Sequence, residues 1–154
     1  MQVGIQKLHE NEWLIHVGCA KIKMDRFSVE LLNITLEHVL MLEHGQSHST
    51  FKSYIKLGLR LAELDNRYLQ KVLSVVDNID LLNLLLVANE AGFTEKVMGN
   101  VGGILAKQLQ ADLISAEVPH ESVASVSIQK IVEIMFALEA SGDIEFVNEN
   151  TKYI

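Results

Sequence analysis

Residues 77–92 read Asp77-Asn-Ile-Asp-Leu-Leu-Asn-Leu-Leu-Leu-Val-Ala-Asn-Glu-Ala-Gly92. Leu81, Leu82, Leu84, Leu85, Leu86 and Val87 leave no polar face wide enough for a surface helix. A helix that is apolar nearly all round must be wrapped by other elements. The run is too short to cross a bilayer, which takes about 20 apolar residues. Asp77, Asn78 or Asp80 can cap its start, and Gly92 is placed to end it in a left-handed conformation. It reads as a buried core helix, and the fold is built around it.

The flanking sequence supplies the wrapping. Upstream, Leu69, Val72, Leu73 and Val76 fall at i, i+3, i+4 and i+7, an amphipathic stripe. Before it, a helix starting at Ser49 or Thr50 carries Phe51, Tyr54, Ile55, Leu57, Leu59 and Leu61 and is broken at Leu64-Asp65-Asn66. Downstream, the spacing predicts one long helix, capped by Thr94, through Val97, Val101, Ile104, Leu105, Leu109 and Leu113. Gly102 and Gly103 would lie inside it, each costing about 1 kcal/mol against alanine, which calls for close packing of another backbone or a kink. Val118-Pro119 closes that segment. A last helix follows through Ile128, Ile131, Val132, Met135 and Leu138 to Gly142, and Ile144, Phe146 and Val147 form an extended tail.

The first 48 residues have a different rhythm. Trp13, Ile15, Val17 and Cys19 share one parity, whereas Ala20, Ile22 and Met24 occupy the other. The phase change predicts two strands in a hairpin, with a bulge or register break near Gly18 to Ala20. Trp13 is expected to be buried against the next helix, and Cys19 is expected to be a buried structural cysteine. Asp25 can cap that helix, which would cover Phe27, Leu31, Ile34, Leu36, Val39, Leu40 and Leu42 and end at Gly45. The polar loop Gly45-Gln-Ser-His-Ser-Thr50 then divides the chain into a β-hairpin-and-helix unit, 1–48, and a helical domain, 49–154. The fold class is mostly α, and α+β overall once the N-terminal hairpin is counted.

Composition narrows function. A formal charge of −7 argues against a nucleic-acid binder, which needs a basic patch to replace counterions. One cysteine cannot form an internal disulfide, which fits a reducing compartment. The N-terminal residues lack the pattern of a signal peptide, and no stretch is long enough for direct membrane insertion, so a cytoplasmic location is predicted. His16, Cys19, His38, His44 and His48 invite a zinc hypothesis, but zinc takes three or four converging ligands in tight pairs, a spacing these residues lack. No metal or other cofactor is predicted. Gly99-Asn-Val-Gly-Gly103 follows no strand and lacks the lysine of a phosphate loop. The scattered carboxylates suit helix caps and solubility better than acid–base chemistry, so no catalytic residue is assigned. Lys52, Lys56 and Arg60 recur every four residues, the pattern of a solvated stripe.

Three stretches resemble the C-terminal domain of the flagellar motor switch protein FliG. They are Leu61-Ala-Glu-Leu-Asp-Asn-Arg-Tyr-Leu-Gln-Lys-Val-Leu-Ser-Val-Val-Asp77, Glu95-Lys-Val-Met-Gly-Asn-Val-Gly-Gly-Ile-Leu-Ala-Lys-Gln-Leu-Gln-Ala-Asp-Leu113, and Ser127-Ile-Gln-Lys-Ile-Val-Glu-Ile-Met-Phe-Ala-Leu-Glu-Ala-Ser-Gly-Asp-Ile-Glu-Phe146. The resemblance implies an armadillo-like helical superhelix and a bacterial, non-enzymatic interaction protein of the flagellar rotor or switch complex, or a diverged paralogue of it, peripheral to the basal body. Where the family presents a row of charges to the stator, this chain has Val87, Ile104, Ala111, Asp112 and His120, so only Asp112 keeps the charge.

Tyr54, Leu57, Leu61, Leu64 and Tyr68 supply more large side chains than one short helix pair can bury. With Asp112 they are the expected interaction residues, for a rotor partner or a homo-oligomer. The alternative is that the helix from Phe27 to Leu42 caps them in the same chain. Two other functions compete: a regulatory scaffold or adaptor unrelated to motility, and a metal- or ligand-binding sensor built on the N-terminal unit.

Overall fold

The computed structural model describes residues 1–146; Val147, expected in the extended tail, lies outside them. The chain divides into two compact units between Ser53 and Tyr54.

The first unit begins with a three-stranded antiparallel sheet in the order β1 (Val3–His9), β2 (Glu12–Val17), β3 (Ala20–Met24). The additional strand, β1, corrects the two-strand reading. Gly18 and Cys19 form a two-residue turn, with Gly18 at φ +61 and Val17 paired to Ala20. The phase change in the sequence is therefore the turn itself. The register shift falls instead between Lys7 and His9 on β1. The turn brings both apolar sets to one face, in cross-strand rows Val3–Val17–Ala20, Ile5–Ile15–Ile22 and Lys7–Trp13–Met24. Of these only Ile15 is buried, at 6% exposure. Trp13 is half-buried with Lys7 Nζ 5.4 Å from its ring, because it sits in the last row rather than the middle one. Cys19 is exposed, a second correction, because the turn lifts it off the sheet.

Helix α1 (Arg26–Val39) packs on β2 and β3 and buries Phe27 and Ile34. Asp25 caps it, its carboxylate accepting from the Ser28 amide at 2.9 Å. The helix stops at Val39, short of Leu42, and Gly45 takes φ +85 in the loop beyond.

Helix α2 (Thr50–Gly58) runs into a 3-10 segment (Leu59–Glu63) and spans the boundary between the units. The second unit continues with α3 (Asn66–Val75), α4 (Asn78–Ala88), α5 (Ala91–Met98), α6 (Gly103–Ser115) and α7 (Glu121–Ala140). Helix α4 is the buried centre: residues 80–85 are buried without interruption, and its largest contact is with α7. From α7, Ile128, Ile131, Val132 and Met135 are fully buried, and the α3 stripe of Leu69, Val72, Leu73 and Val76 is in the core as its spacing predicts. Every side chain in so dense an interior restricts its neighbours. Gly58 shows this, since a Cβ there would stand 2.7 Å from Leu84 Cδ1.

Two helix boundaries differ from expectation. Asn89, at φ 45, provides the left-handed cap of α4, and Gly92 lies inside α5. Asparagine tolerates that region through its short polar side chain. The long helix expected from Thr94 is two helices, separated by a corner from Gly99 to Gly102. Neither Gly102 nor Gly103 is pressed by another backbone; a Cβ at either would meet nothing within 4 Å.

Candidate functional site

The helical unit carries an exposed apolar face on α6, and its position is set by α5. Lys96 of α5 donates from Nζ to the carbonyls of Ala62 (2.5 Å) and Leu64 (2.8 Å), closing the end of the 3-10 segment. Asn100, in the corner, donates to Lys96 O (2.8 Å) and Asn66 Oδ1 (3.2 Å) and accepts from Gln70 Nε2 (3.1 Å). The corner is thereby tied to α3 and to the 3-10 segment. Gly102 then caps α6 without a side-chain hydrogen bond, and the helix sets out over the surface.

Helix α6 gives little of itself to the core. Leu109 is its one buried residue, with Leu105, Ala106, Asp112 and Leu113 half-buried. On the opposite side Ile104, Gln108, Ala111 and Ser115 recur at i, i+4, i+7 and i+11 and form one exposed stripe. Ile104 is 91% exposed, and Ile114, flanking the stripe, is 88% exposed. Lys107 is the only charge among the exposed residues of this helix. Asp112 lies on the other flank, where it accepts from Gln108 Nε2 at 3.0 Å. Beside Ile104 is an open depression of ≈ 550 Å³ lined by Asn78, Gly102, Gly103, Ile104, Leu105 and Gln108.

The profile of the FliG C-terminal domain matches residues 59–146, more than half of the chain. The chain belongs to the FliG C-terminal domain family. No curated protein sequence matches it. In this FliG C-terminal domain, Val87 is half-buried near the end of α4, and Ala111 and Ile104 stand on the α6 stripe. His120 caps α7, its Nδ1 accepting from the Ser122 amide at 3.1 Å. The matched region begins at the 3-10 segment, so β1 to β3 and α1 lie outside it.

The residues expected to meet a partner are distributed unevenly. Leu57, Leu61 and Leu64 are 0, 0 and 1% exposed, so these three side chains are committed to the core. Tyr54 and Tyr68 are half-buried; Arg67 lies 4.6 Å over the Tyr68 ring and donates to its hydroxyl at 3.0 Å. Only Asp112 lies on α6. The spacing of the long helix grouped Ile104 with Leu105 and Leu109, whereas the resemblance set Ile104 and Ala111 in a partner-facing row, and both are exposed on the α6 stripe.

Among the described residues, no three His, Cys, Asp or Glu side chains are grouped to hold a metal. His38 and His48 are not simply solvated: their rings stack 5.7 Å apart at 14°, and His48 Nε2 meets the Ser53 hydroxyl at 2.6 Å. Arg60 of the basic stripe pairs with Glu63 at 3.8 Å and lies 5.1 Å from the Phe146 ring. The ring of His16 lies over Gly4 on the adjacent strand, on the sheet face opposite Ile15. Among the described residues no helix is long and apolar enough to cross a membrane.

Proposed function

We propose that this chain is a non-enzymatic interaction component of the flagellar rotor or switch complex, or a diverged paralogue of one, and that it meets its protein partner through the outer face of α6. Membership of the FliG C-terminal domain family supports the assignment to the rotor. The single observation that directs attention to α6 is Ile104, held 91% exposed on a helix already anchored by Leu109. A large apolar side chain in that position contributes nothing to the fold and stabilises a contact that removes it from water. With one charge on the exposed side, recognition rests on shape and apolar contact more than on long-range steering. That same feature supports the second reading, an adaptor that uses the domain away from the stator.

Expression of the tagged full chain in a flagellated cell tests the reading. The chain should co-sediment with basal bodies, and Ile104→Arg should release it while leaving its circular dichroism unchanged. A parent chain that never co-sediments, yet retains another protein partner through Ile104, would transfer the role to the adaptor.

A further inference from the structure

The sheet of the first unit has two edges, and they are not alike. The Gly18 amide donates to the Gln2 carbonyl at 2.7 Å, one step beyond the paired Val3 and Val17. Bonded and unbonded positions alternate along an antiparallel pair. Gln2, Gly4 and Gln6 therefore bond to β2, while Val3, Ile5 and Lys7 turn their N–H and C=O groups outward. On β2 this leaves Trp13, Ile15 and Val17 to bond β3, through Met24, Ile22 and Ala20. The outward positions of β3 are then Lys21 and Lys23.

Lysines along an edge protect it against the addition of a further strand. Strand β3 has one at both outward positions, and both are exposed. Strand β1 has Val3 and Ile5, with Lys7 alone at the far end. The Lys7 ammonium is engaged within its own chain, 5.4 Å from the Trp13 ring and 3.7 Å from Glu10. The helix is equally one-sided: α1 packs on β2 and β3, and Val3 and Ile5 remain 67 and 64% exposed. A row of outward backbone donors and acceptors beside an uncovered apolar face is completed by one kind of body, another β-strand.

We propose that this strand is β1 of a second copy, paired antiparallel about a two-fold axis at Ile5. The register shift between Lys7 and His9 ends the regular edge, which limits its outward residues to Val3, Ile5 and Lys7. A two-fold at Ile5 is the one that sets each of these opposite another of them. Val3 then faces Lys7 of the other copy, Ile5 faces Ile5, and the two lysines stand at opposite ends. An axis normal to the sheet preserves its faces, so the two Ile5 side chains meet on the apolar side. Charge permits the approach. Residues 1–53 hold five lysines and arginines against six acids, so the net −7 lies almost wholly on the rest of the chain. One paired edge is smaller than the roughly 800 Å² per partner of a standard interface, so the dimer is concentration-dependent. This surface lies outside the region matched to the FliG family, and the proposal is independent of the α6 reading.

Sedimentation equilibrium of the full chain over a range of concentrations tests this, with circular dichroism of each variant as the folding control. The parent should pass from monomer to dimer. Ile5→Pro removes an outward N–H and no bond within the sheet, and Ile5→Lys sets like charges opposite each other; each should weaken dimerisation at least tenfold. Ile22→Lys, on the guarded side of the same face, should leave it within about twofold of the parent. In a Cys19→Ser background, Ile5→Cys should form an intermolecular disulfide, since bonded pairs hold their Cα atoms about 5.5 Å apart. Ile22→Cys should not. A parent monomeric throughout would overturn the self-pairing and leave the edge to a strand from another protein. A dimer that survives both Ile5→Pro and Ile5→Lys, or one cross-linked equally well through position 22, would overturn it too. Dimerisation lost in Ile104→Arg but kept in Ile5→Lys would overturn it and move the contact to α6.

Discussion

Ser127 of α7 donates its hydroxyl proton to Asp80 Oδ1 of α4 across 2.7 Å, inside the core. Asn83 Nδ2 donates in turn to the Ser127 oxygen at 2.9 Å, and all three residues are less than 10% exposed. Asp80 lies in the first turn of α4, where unpaired amides carry partial positive charge and favour a carboxylate. The other buried residues of α4 are leucines, whose contacts are non-directional, so this trio fixes how the helix aligns with α7. Ser127→Ala should therefore lower stability by about 1–3 kcal/mol, the range for stranding a buried polar group. Denaturant unfolding measures it, and an unchanged midpoint would mean that Asp80 finds another donor.

The two kinds of glycine in the helical unit should respond in opposite directions. Gly58→Ala pushes a methyl group against Leu84 and Ile128, and overpacking of this kind costs about 1–3 kcal/mol. Gly103→Ala meets open space within a helix and should stabilise by about 0.4–1 kcal/mol, largely by restricting the unfolded chain. A thermal melt of each variant decides the matter, and two shifts of the same sign would contradict this account.

In the first unit, the buried isoleucine should matter most. Ile15→Ala removes the one buried side chain of the sheet and should cost about 2–5 kcal/mol. Trp13→Ala loses a half-buried ring and should cost less. Limited proteolysis followed by mass mapping of residues 1–53 ranks them, and earlier cleavage of the Trp13 variant would reverse the order.

Lys96 offers a check on the anchoring of α5. Lys96→Met keeps most of the aliphatic stem and removes both charge-assisted hydrogen bonds to the 3-10 segment, each worth about 1.5–3 kcal/mol in favourable cases. Faster amide exchange at Leu64, Asp65 and Asn66 should accompany the loss. Unaltered exchange there would show that the lysine is dispensable.

The sequence disclosed most of the helical interior. A run such as Leu81 to Leu85 has one physical solution in water, and the four-residue stripe of α3 has nearly as few. Where the reading failed, local geometry had overruled pattern. Apolar periodicity continues from Val97 to Leu113, but the backbone breaks between them, and only the glycines signalled the corner. Asn89 took the cap expected of Gly92 because periodicity does not say which residue turns left-handed. Cys19 was misplaced because parity counting carried it through a turn that ends the strand. Apolar spacing alone did not show the exposed stripe of α6, to which only the resemblance pointed through Ile104 and Ala111: isoleucine in a helical pattern announces burial, and the packed structure shows which side of the helix faces inward.

The corner from Gly99 to Gly102 has an evolutionary consequence. It divides the helical run into a part on which folding depends and a part on which it hardly depends. Helix α5 is held by Lys96 and Asn100 and buries Phe93 and Val97, whereas α6 buries Leu109 alone. Surface substitutions away from the core usually change stability by less than about 0.5 kcal/mol. Selection can therefore rewrite the outer side of α6, exchanging charge for isoleucine, without first securing a compensating change in the scaffold. One descendant of such a domain can drift to a new partner while its fold stays under the old constraints.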